Sequence, residues 1–144
     1  MSTRVRFVVA LAAVVAGGPL AGEAQAHGDV APQPVDVSGL TTLGEDLQST
    51  NPYRDTPDYE RAQAIGEKAF NQNCARCHGL GAVSGGIAPD LRYLVPGDDD
   101  EYFIGRVMSG AVRNGVTYMP AFGQIFSQEA IWSIRSWLDS VHVE

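Results

Sequence analysis

Cysteine, basic residues and long apolar runs are all scarce in this 144-residue chain. Two cysteines are too few for a disulfide-rich scaffold. The 10 lysines and arginines are outnumbered by 17 aspartates and glutamates, giving a formal net charge of −7. This balance argues against nucleic acid as a partner, because such binding depends on cations that neutralise phosphates. Apolar residues make up 44% of the chain, which is enough for a core, and the length allows one domain.

The apolar run that does occur lies at the N-terminus. Arg4 and Arg6 precede an unbroken apolar stretch over residues 7–16. A Gly-Gly-Pro break follows it, and Ala24-Gln25-Ala26 supplies small residues at a cleavage site. A stretch of this length cannot span a bilayer, which needs about 20 residues. The pattern is typical of a secretory signal peptide, predicted here over residues 1–26. Cleavage after Ala26 would leave an exported chain with a net charge of −8 and no membrane span.

The remaining chain divides into two parts by composition. Residues 27–57 contain four prolines and no sustained apolar period, which predicts an extended N-terminal arm that lies on the surface or is loose. Such an arm is equally compatible with a plain linker and with a functional segment. Residues 58–144 carry helical signals and form the predicted domain. No strand pattern is convincing, so the predicted fold class is all-α.

Two of the predicted helices bracket this domain. The first should be capped by Thr56, with Pro57 in the first helical position and helical periodicity from Tyr59 onward. The last should begin after a Ser127 cap. Its apolar residues recur at helical spacing and form one wide stripe: Ala130, Ile134, Trp137 and Val141.

A further helix is predicted between them, with Asp98 as its cap, Glu101 reaching back to it and Gly110 as its end. The segments 79–97 and 111–126 are then loops. The acidic run from Asp98 to Glu101 is interpreted as a solvated helix start that complements the helix dipole. A docking patch or a weak cation site is the alternative.

The motif with the clearest chemistry is Cys74-Ala75-Arg76-Cys77-His78. Two thiols three positions apart, followed at once by an imidazole, suit covalent attachment of haem. Each thiol would add to one vinyl group, and His78 would then supply the proximal nitrogen ligand of the iron. Export agrees with this interpretation, because c-type haem is attached after export.

Three other uses of the same residues are possible. A thioredoxin-like site would need a βαβ setting, of which the sequence shows no sign. A structural zinc site needs four Cys or His ligands, and only His27 and His142 remain, at the two ends of the chain. A simple disulfide between Cys74 and Cys77 would leave His78 without a role.

The sixth iron ligand decides between an electron carrier and a haem enzyme or gas sensor, since an open site binds small molecules. Met119 lies in a predicted loop 41 residues after His78, and Pro120 favours extended backbone there. Met108 lies beside Val107 in the apolar part of a predicted helix and is better explained as core filler. Met119 is therefore the predicted ligand.

The order of helix, haem motif, proline-bearing loop, methionine and C-terminal helix resembles a class I cytochrome c. Gly66 and Phe70 match the family positions at which the first helix packs on the last, and Trp137 is the expected aromatic partner. Pro89 matches the family proline whose carbonyl accepts the N–H of the proximal histidine, here His78. The resemblance implies a small monohaem fold.

Longer blocks resemble one subgroup, the periplasmic cytochromes c-550 that accept electrons from pyrroloquinoline-quinone alcohol dehydrogenases. The blocks that carry this resemblance are residues 27–36, 51–54, 71–80 and 84–92. The resemblance implies one covalent haem c on Cys74 and Cys77, axial ligation by His78 and Met119, and a periplasmic electron carrier rather than an enzyme. Its donor would be a quinoprotein dehydrogenase, and its acceptor a downstream cytochrome or terminal oxidase. Cytochromes cL, the acceptors of methanol dehydrogenases, are a related possibility.

Overall fold

The fold is mostly helical, and a computed structural model describes it for residues 32–144. The predicted signal peptide and the start of the arm lie outside these residues. Two 3₁₀ turns lie in the segment that links α2 to α3. The elements in chain order are α1 (Tyr59–Asn73), α2 (Ala75–His78), α3 (Asp100–Ser109), β1 (Ala111–Arg113), β2 (Val116–Met119) and α4 (Gln128–Ser140). In the part of the chain that the structure covers, no helix has the length and apolarity to cross a membrane.

Helices α1 and α4 pack against each other at a point where no side chain separates their backbones. A Cβ atom on Gly66 would lie 1.8 Å from the carbonyl oxygen of Ser133. One turn further along, the rings of Phe70 and Trp137 meet with their centroids 4.6 Å apart. The expected pairing of Phe70 with Trp137 is therefore confirmed. This contact fixes the end of α1, where the cysteine motif begins.

The two bracketing helices begin close to where the sequence predicts. Helix α1 starts at Tyr59, but its N-cap position is Asp58 rather than Thr56. The Thr56 hydroxyl instead donates to the carbonyl of Tyr53, 2.7 Å away, and so closes a turn ahead of the helix. Ser127 caps α4 as predicted, since its hydroxyl accepts from the backbone N–H three residues on.

Helix α3 begins later than predicted. Its first residue is Asp100 and its N-cap position is Asp99, so Asp98 is not the cap. The Asp99 carboxylate accepts a bond from the backbone N–H of Val95, 2.7 Å away, and thereby fixes the preceding turn. Gly110 ends the helix as predicted, with a positive φ of 68°.

Asp100 is the residue for which the solvated interpretation of the acidic run is wrong. Its side chain is 0% exposed and forms ion pairs with Arg54 at 2.9 Å and Arg135 at 2.7 Å. Arg54 also contacts Asp139 at 2.8 Å, so the cluster joins the arm, α3 and α4. Burial raises the pKa of Asp100, but hydrogen bonds from Arg54, Asn51 and Arg135 outweigh it and lower the pKa overall.

The described part of the arm, residues 32–57, forms no helix or strand and is packed against the helices rather than loose. Tyr53 is buried, and its hydroxyl donates to the carbonyl of Thr41, 2.9 Å away. The backbone N–H of Leu43 donates to Glu129 on α4 at 2.8 Å. The arm therefore covers one side of α4 and contributes to the core.

The predicted loop over residues 111–126 contains an antiparallel hairpin, which corrects the all-α expectation. Strands β1 and β2 pair with Val112 opposite Thr117 and Arg113 opposite Val116. Asn114 and Gly115 at the turn both have positive φ, the backbone that two-residue hairpin turns require. Strands of three and four residues are too short to show a period of two, so only the Asn-Gly pair could have signalled them.

The close approach at Gly66 predicts a specific loss of stability. Gly66→Ala should lower the free energy of unfolding by about 2 kcal/mol or more, because the helices must separate to admit the methyl group. Gly105→Ala is the matched control, since its Cβ would meet open space on exposed α3. That change should raise stability by about 0.5–1 kcal/mol. Denaturant unfolding of both variants measures the difference, and similar values would contradict the packing.

Candidate haem-binding site

The cysteine motif lies at a break between two helices. Helix α1 ends at Asn73, and the backbone N–H groups of Cys77 and His78 both donate to the carbonyl of Cys74, at 3.1 and 3.0 Å. This single helical turn puts Cys74 and Cys77 on the same side, because residues three apart are neighbours on a helix surface. Both cysteines are free thiols, Cys74 half-buried and Cys77 exposed. The disulfide alternative is therefore not formed.

The two thiols differ in chemistry. Burial, together with the neighbouring Cys77, raises the pKa of Cys74 to about 12. The nucleophile in thiol chemistry is the thiolate, so Cys74 is a weak nucleophile once the chain has folded.

A sharp reversal follows His78 and requires glycine. Gly79 has a φ of 82°, and a Cβ at this position would lie 1.8 Å from the carbonyl oxygen of Val83. The chain can therefore turn back directly after the imidazole and bring the 84–90 loop against it. Sequence reasoning overlooked Gly79, although a glycine directly after the motif was visible.

The returning loop orients the imidazole. His78 Nδ1 lies 2.8 Å from the carbonyl oxygen of Pro89. A carbonyl can only accept, so Nδ1 carries the proton and Nε2 is left with its lone pair. No hydrogen bond among the described residues uses Nε2. The imidazole is therefore held in the tautomer in which the lone pair of Nε2 can bind a metal ion.

Asp90 holds the loop in this shape. Its carboxylate accepts from the backbone N–H of Ser84 at 3.2 Å and pairs with the guanidinium of Arg92 at 2.8 Å. The hydrogen bonds from Arg92 hold the pKa of Asp90 well below its usual range. The Ser84 hydroxyl also donates to the carbonyl of Ala88, so both ends of the loop are tied. The sequence predicts the role of Pro89 but not those of Asp90, Ser84 and Arg92, because hydrogen bonds within a loop produce no periodic pattern in the sequence.

The structure distinguishes the two methionines. Met119 ends β2, opposite Ala111, rather than lying in a loop. The backbone beside it is packed so closely that a Cβ on Gly110 would lie 2.5 Å from the Met119 carbonyl oxygen. Met108 packs instead against Gly123, where an added Cβ would lie 2.9 Å from the Met108 methyl group. Met108 therefore fills space between α3 and the loop that follows β2.

The segments that follow the cysteine motif leave large apolar side chains exposed. Leu80, in the turn after Gly79, is 77% exposed, and Ile87, in the loop that returns to His78, is 80% exposed. Such surfaces on a small protein usually lie against something apolar. A planar porphyrin fits the combination of paired thiols, an oriented imidazole and apolar cover. No cluster of three or more metal-binding side chains occurs among residues 32–144, so the zinc alternative has no support in the described chain.

Comparisons with known proteins agree with this geometry. Residues 61–138 match the family described as cytochrome c oxidase, cbb3-type, subunit III. The chain is 56% identical to cytochrome c550 of Pseudomonas aeruginosa over 133 residues, covering 91% of this chain and 92% of that protein. It also matches the structure of cytochrome cL from Methylophaga aminisulfidivorans at 21% identity, with a TM-score of 0.50 over 75% of this chain and 74% of that one. This last likeness concerns the fold alone.

The chain belongs to the class I c-type cytochromes. Membership means that it binds haem c covalently and transfers electrons. The chain is also 37% identical to quinohaemoprotein alcohol dehydrogenase ADH-IIG of Pseudomonas putida over 99 residues, which are 64% of this chain but only 13% of that protein.

The clamp at Asp90 predicts a pH dependence. Because the folded-state pKa of Asp90 is lowered, its stabilising effect should be complete above its unfolded pKa of about 3.9 and disappear as the pH falls through the folded value. Asp90→Asn should therefore reduce the free energy of unfolding at about pH 6 and reduce it by a smaller amount at about pH 3, where the unfolded carboxyl is already mostly protonated but the folded one is still ionised. Denaturant titrations at both pH values measure this, with exposed Asp98→Asn as the control. An equal loss at both pH values would contradict the ionic clamp.

Proposed function

We propose that this chain is a periplasmic one-electron carrier that accepts electrons from a quinoprotein alcohol dehydrogenase. It passes them to a downstream cytochrome or terminal oxidase. Bound haem c supplies a reversible one-electron change at its iron. The protein attaches the haem, supplies ligands to its iron and keeps those ligands in fixed positions.

Each site residue has a defined role in this proposal. Cys74 and Cys77, which lie on one helical turn, would form the two thioether bonds to the haem. His78 would bind the iron through Nε2, because its Nδ1 is held by the Pro89 carbonyl at 2.8 Å. Met119 would bind the iron through Sδ, and a thioether ligand would close the iron to small molecules and raise its reduction potential.

Rigid support for both ligands suits a carrier. The imidazole is fixed through the loop that Asp90 clamps, and the methionine through the strand packed on Gly110. Ligands held in this way need little rearrangement when the iron changes charge. Small rearrangement lowers the barrier to electron transfer in both directions, which a shuttle requires.

The donor is proposed on one observation. Segments of three alcohol dehydrogenases resemble this chain: ADH-IIG and ADH IIB of Pseudomonas putida and the quinone-dependent dehydrogenase subunit of Gluconobacter oxydans. The matches cover only 13%, 12% and 11% of those proteins, as expected for one module of a larger enzyme. We infer that this chain is a counterpart of that module. The predicted export signal supports a periplasmic location, where such an encounter would occur.

The ligand assignment predicts different outcomes for the two methionines. Met119→Ala should abolish the sulfur–iron charge-transfer band of the oxidised protein, lower the potential and allow the reduced protein to bind carbon monoxide. Met108→Leu is the control: it conserves volume, should cost less than about 1.5 kcal/mol and should leave the spectrum unchanged. Optical spectra of the two variants decide the matter. Loss of the band in the Met108 variant alone would transfer the ligand role to Met108.

The donor assignment predicts rapid reduction by its partner. Oxidised cytochrome mixed with an alcohol-loaded quinoprotein dehydrogenase from the same cell should be reduced in a stopped-flow experiment much faster than an unrelated acidic cytochrome at the same concentration. Specific recognition gives this advantage, because the two redox groups must be brought together in one orientation. Equal rates for the two cytochromes would overturn the named donor but not the electron-carrier function.

A further inference from the structure

Charge is distributed very unevenly along this chain. The segments 68–89 and 102–128 contain every proposed haem residue but not one aspartate or glutamate. They carry four cations, Lys68, Arg76, Arg106 and Arg113. The rest of the described chain has 15 acidic residues against 4 basic ones. The net negative charge of the protein is therefore carried away from the segments that hold the haem.

The contacts of the acidic residues show where that charge lies. Asp58 accepts a bond from Thr41 in the arm at 2.9 Å, and Glu129 accepts one from Leu43 at 2.8 Å. Asp100 pairs with the arm through Arg54. These carboxylates hold the arm against the helices. The described arm itself carries four acidic residues and one cation, Arg54, so the arm side of the molecule is the acidic side.

The hairpin that ends in Met119 has the opposite character. Val112, Val116 and Tyr118 are all large, apolar and exposed, Tyr118 to 67%. The guanidinium of Arg113 lies over the Tyr118 ring, 5.7 Å from its centroid. We call these four residues the hairpin surface. It is apolar with a cation at its centre, and it leads directly into the proposed iron ligand.

Arg106 lies next to this surface. Its guanidinium donates to the carbonyl of Gly110 at 3.1 Å, one residue before β1 begins. Glu101 lines the same shallow hollow on α3 as Arg106, so that cation has an acidic neighbour. Arg113 belongs to the hairpin surface itself and is therefore the residue with which that surface is tested.

We propose that the hairpin surface is the docking surface for the redox partner, and that the partner presents carboxylates around an apolar contact region. The proposal rests on the function proposed above, because it places the electron path at Met119. An apolar centre with a charged surround is what a brief encounter needs: a small interface that forms and separates quickly. The local cation orients the approach, although the protein as a whole is negative.

The first test uses small oxidants and needs no protein partner. Reduced cytochrome is oxidised at low ionic strength by ferricyanide, an anion, or by tris(phenanthroline)cobalt(III), a cation. Arg113→Gln should slow the reaction with ferricyanide roughly fourfold, and should speed the reaction with the cobalt complex, because the hairpin surface, where the oxidant is expected to react, loses one positive charge. Arg113→Lys should restore both rates.

Arg61→Gln is the matched control. It removes the same charge from an exposed arginine at the start of α1, which lies about 20 Å along the helix axis from Cys74. Its effect on either oxidant should be less than about 1.5-fold. Equal effects of Arg113→Gln and Arg61→Gln would contradict the proposal that electrons leave the protein at the hairpin surface.

The second test uses the dehydrogenase. The rate of reduction of the wild-type cytochrome should fall as salt is added, and Arg113→Gln should weaken both the rate and its dependence on salt. A rate that rises with salt, or equal losses in the two glutamine variants, would overturn the acidic partner surface. If the wild-type protein is not reduced at all, the named donor is wrong, and the small-oxidant comparison still decides the docking surface separately.

Discussion

The close approach of α1 and α4 at Gly66 is the constraint on which the haem site depends. Because no side chain lies between Gly66 and the Ser133 carbonyl, the helices can cross with their backbones in contact. That crossing brings Phe70 onto Trp137 and fixes the direction in which α1 ends. The cysteine turn begins at that end, so the position of His78 follows from a helix contact two turns earlier. A larger residue at Gly66 would displace the whole motif.

The sequence predicts those parts of the fold that rest on local signals. The Ser127 cap and the Gly110 helix end each depend on a few neighbouring residues, and the structure has both where expected. Helix α1 begins two residues later than the predicted first helical position, Pro57. The Cys-x-x-Cys-His motif and the family resemblance identify the cofactor class for the same reason: the chemistry is written in adjacent residues. Pro89 was found only through the resemblance.

Features that depend on distant residues could not be predicted in this way. Asp100 reads as one more carboxylate in an acidic run, because its partners Arg54 and Arg135 are far away in the sequence. The arm lacks a helical or strand period because some of its backbone N–H groups bond to side chains on a distant helix, as those of Leu43 and Gln48 do to α4. The hairpin is too short for strand periodicity, although its Asn114-Gly115 turn was a usable signal. In each case tertiary contacts outweigh local propensity.

The central claim is that Cys74 and Cys77 bind one haem covalently beside an imidazole ligand. Mass spectrometry of the exported protein and of its proteolytic peptides tests this most directly. The account predicts that the mature chain carries the added mass of one haem. It also predicts that this mass remains, after denaturation, on the peptide containing both cysteines, and that neither cysteine reacts with a thiol reagent. Free thiols on that peptide, or a chain without the added mass, would contradict it.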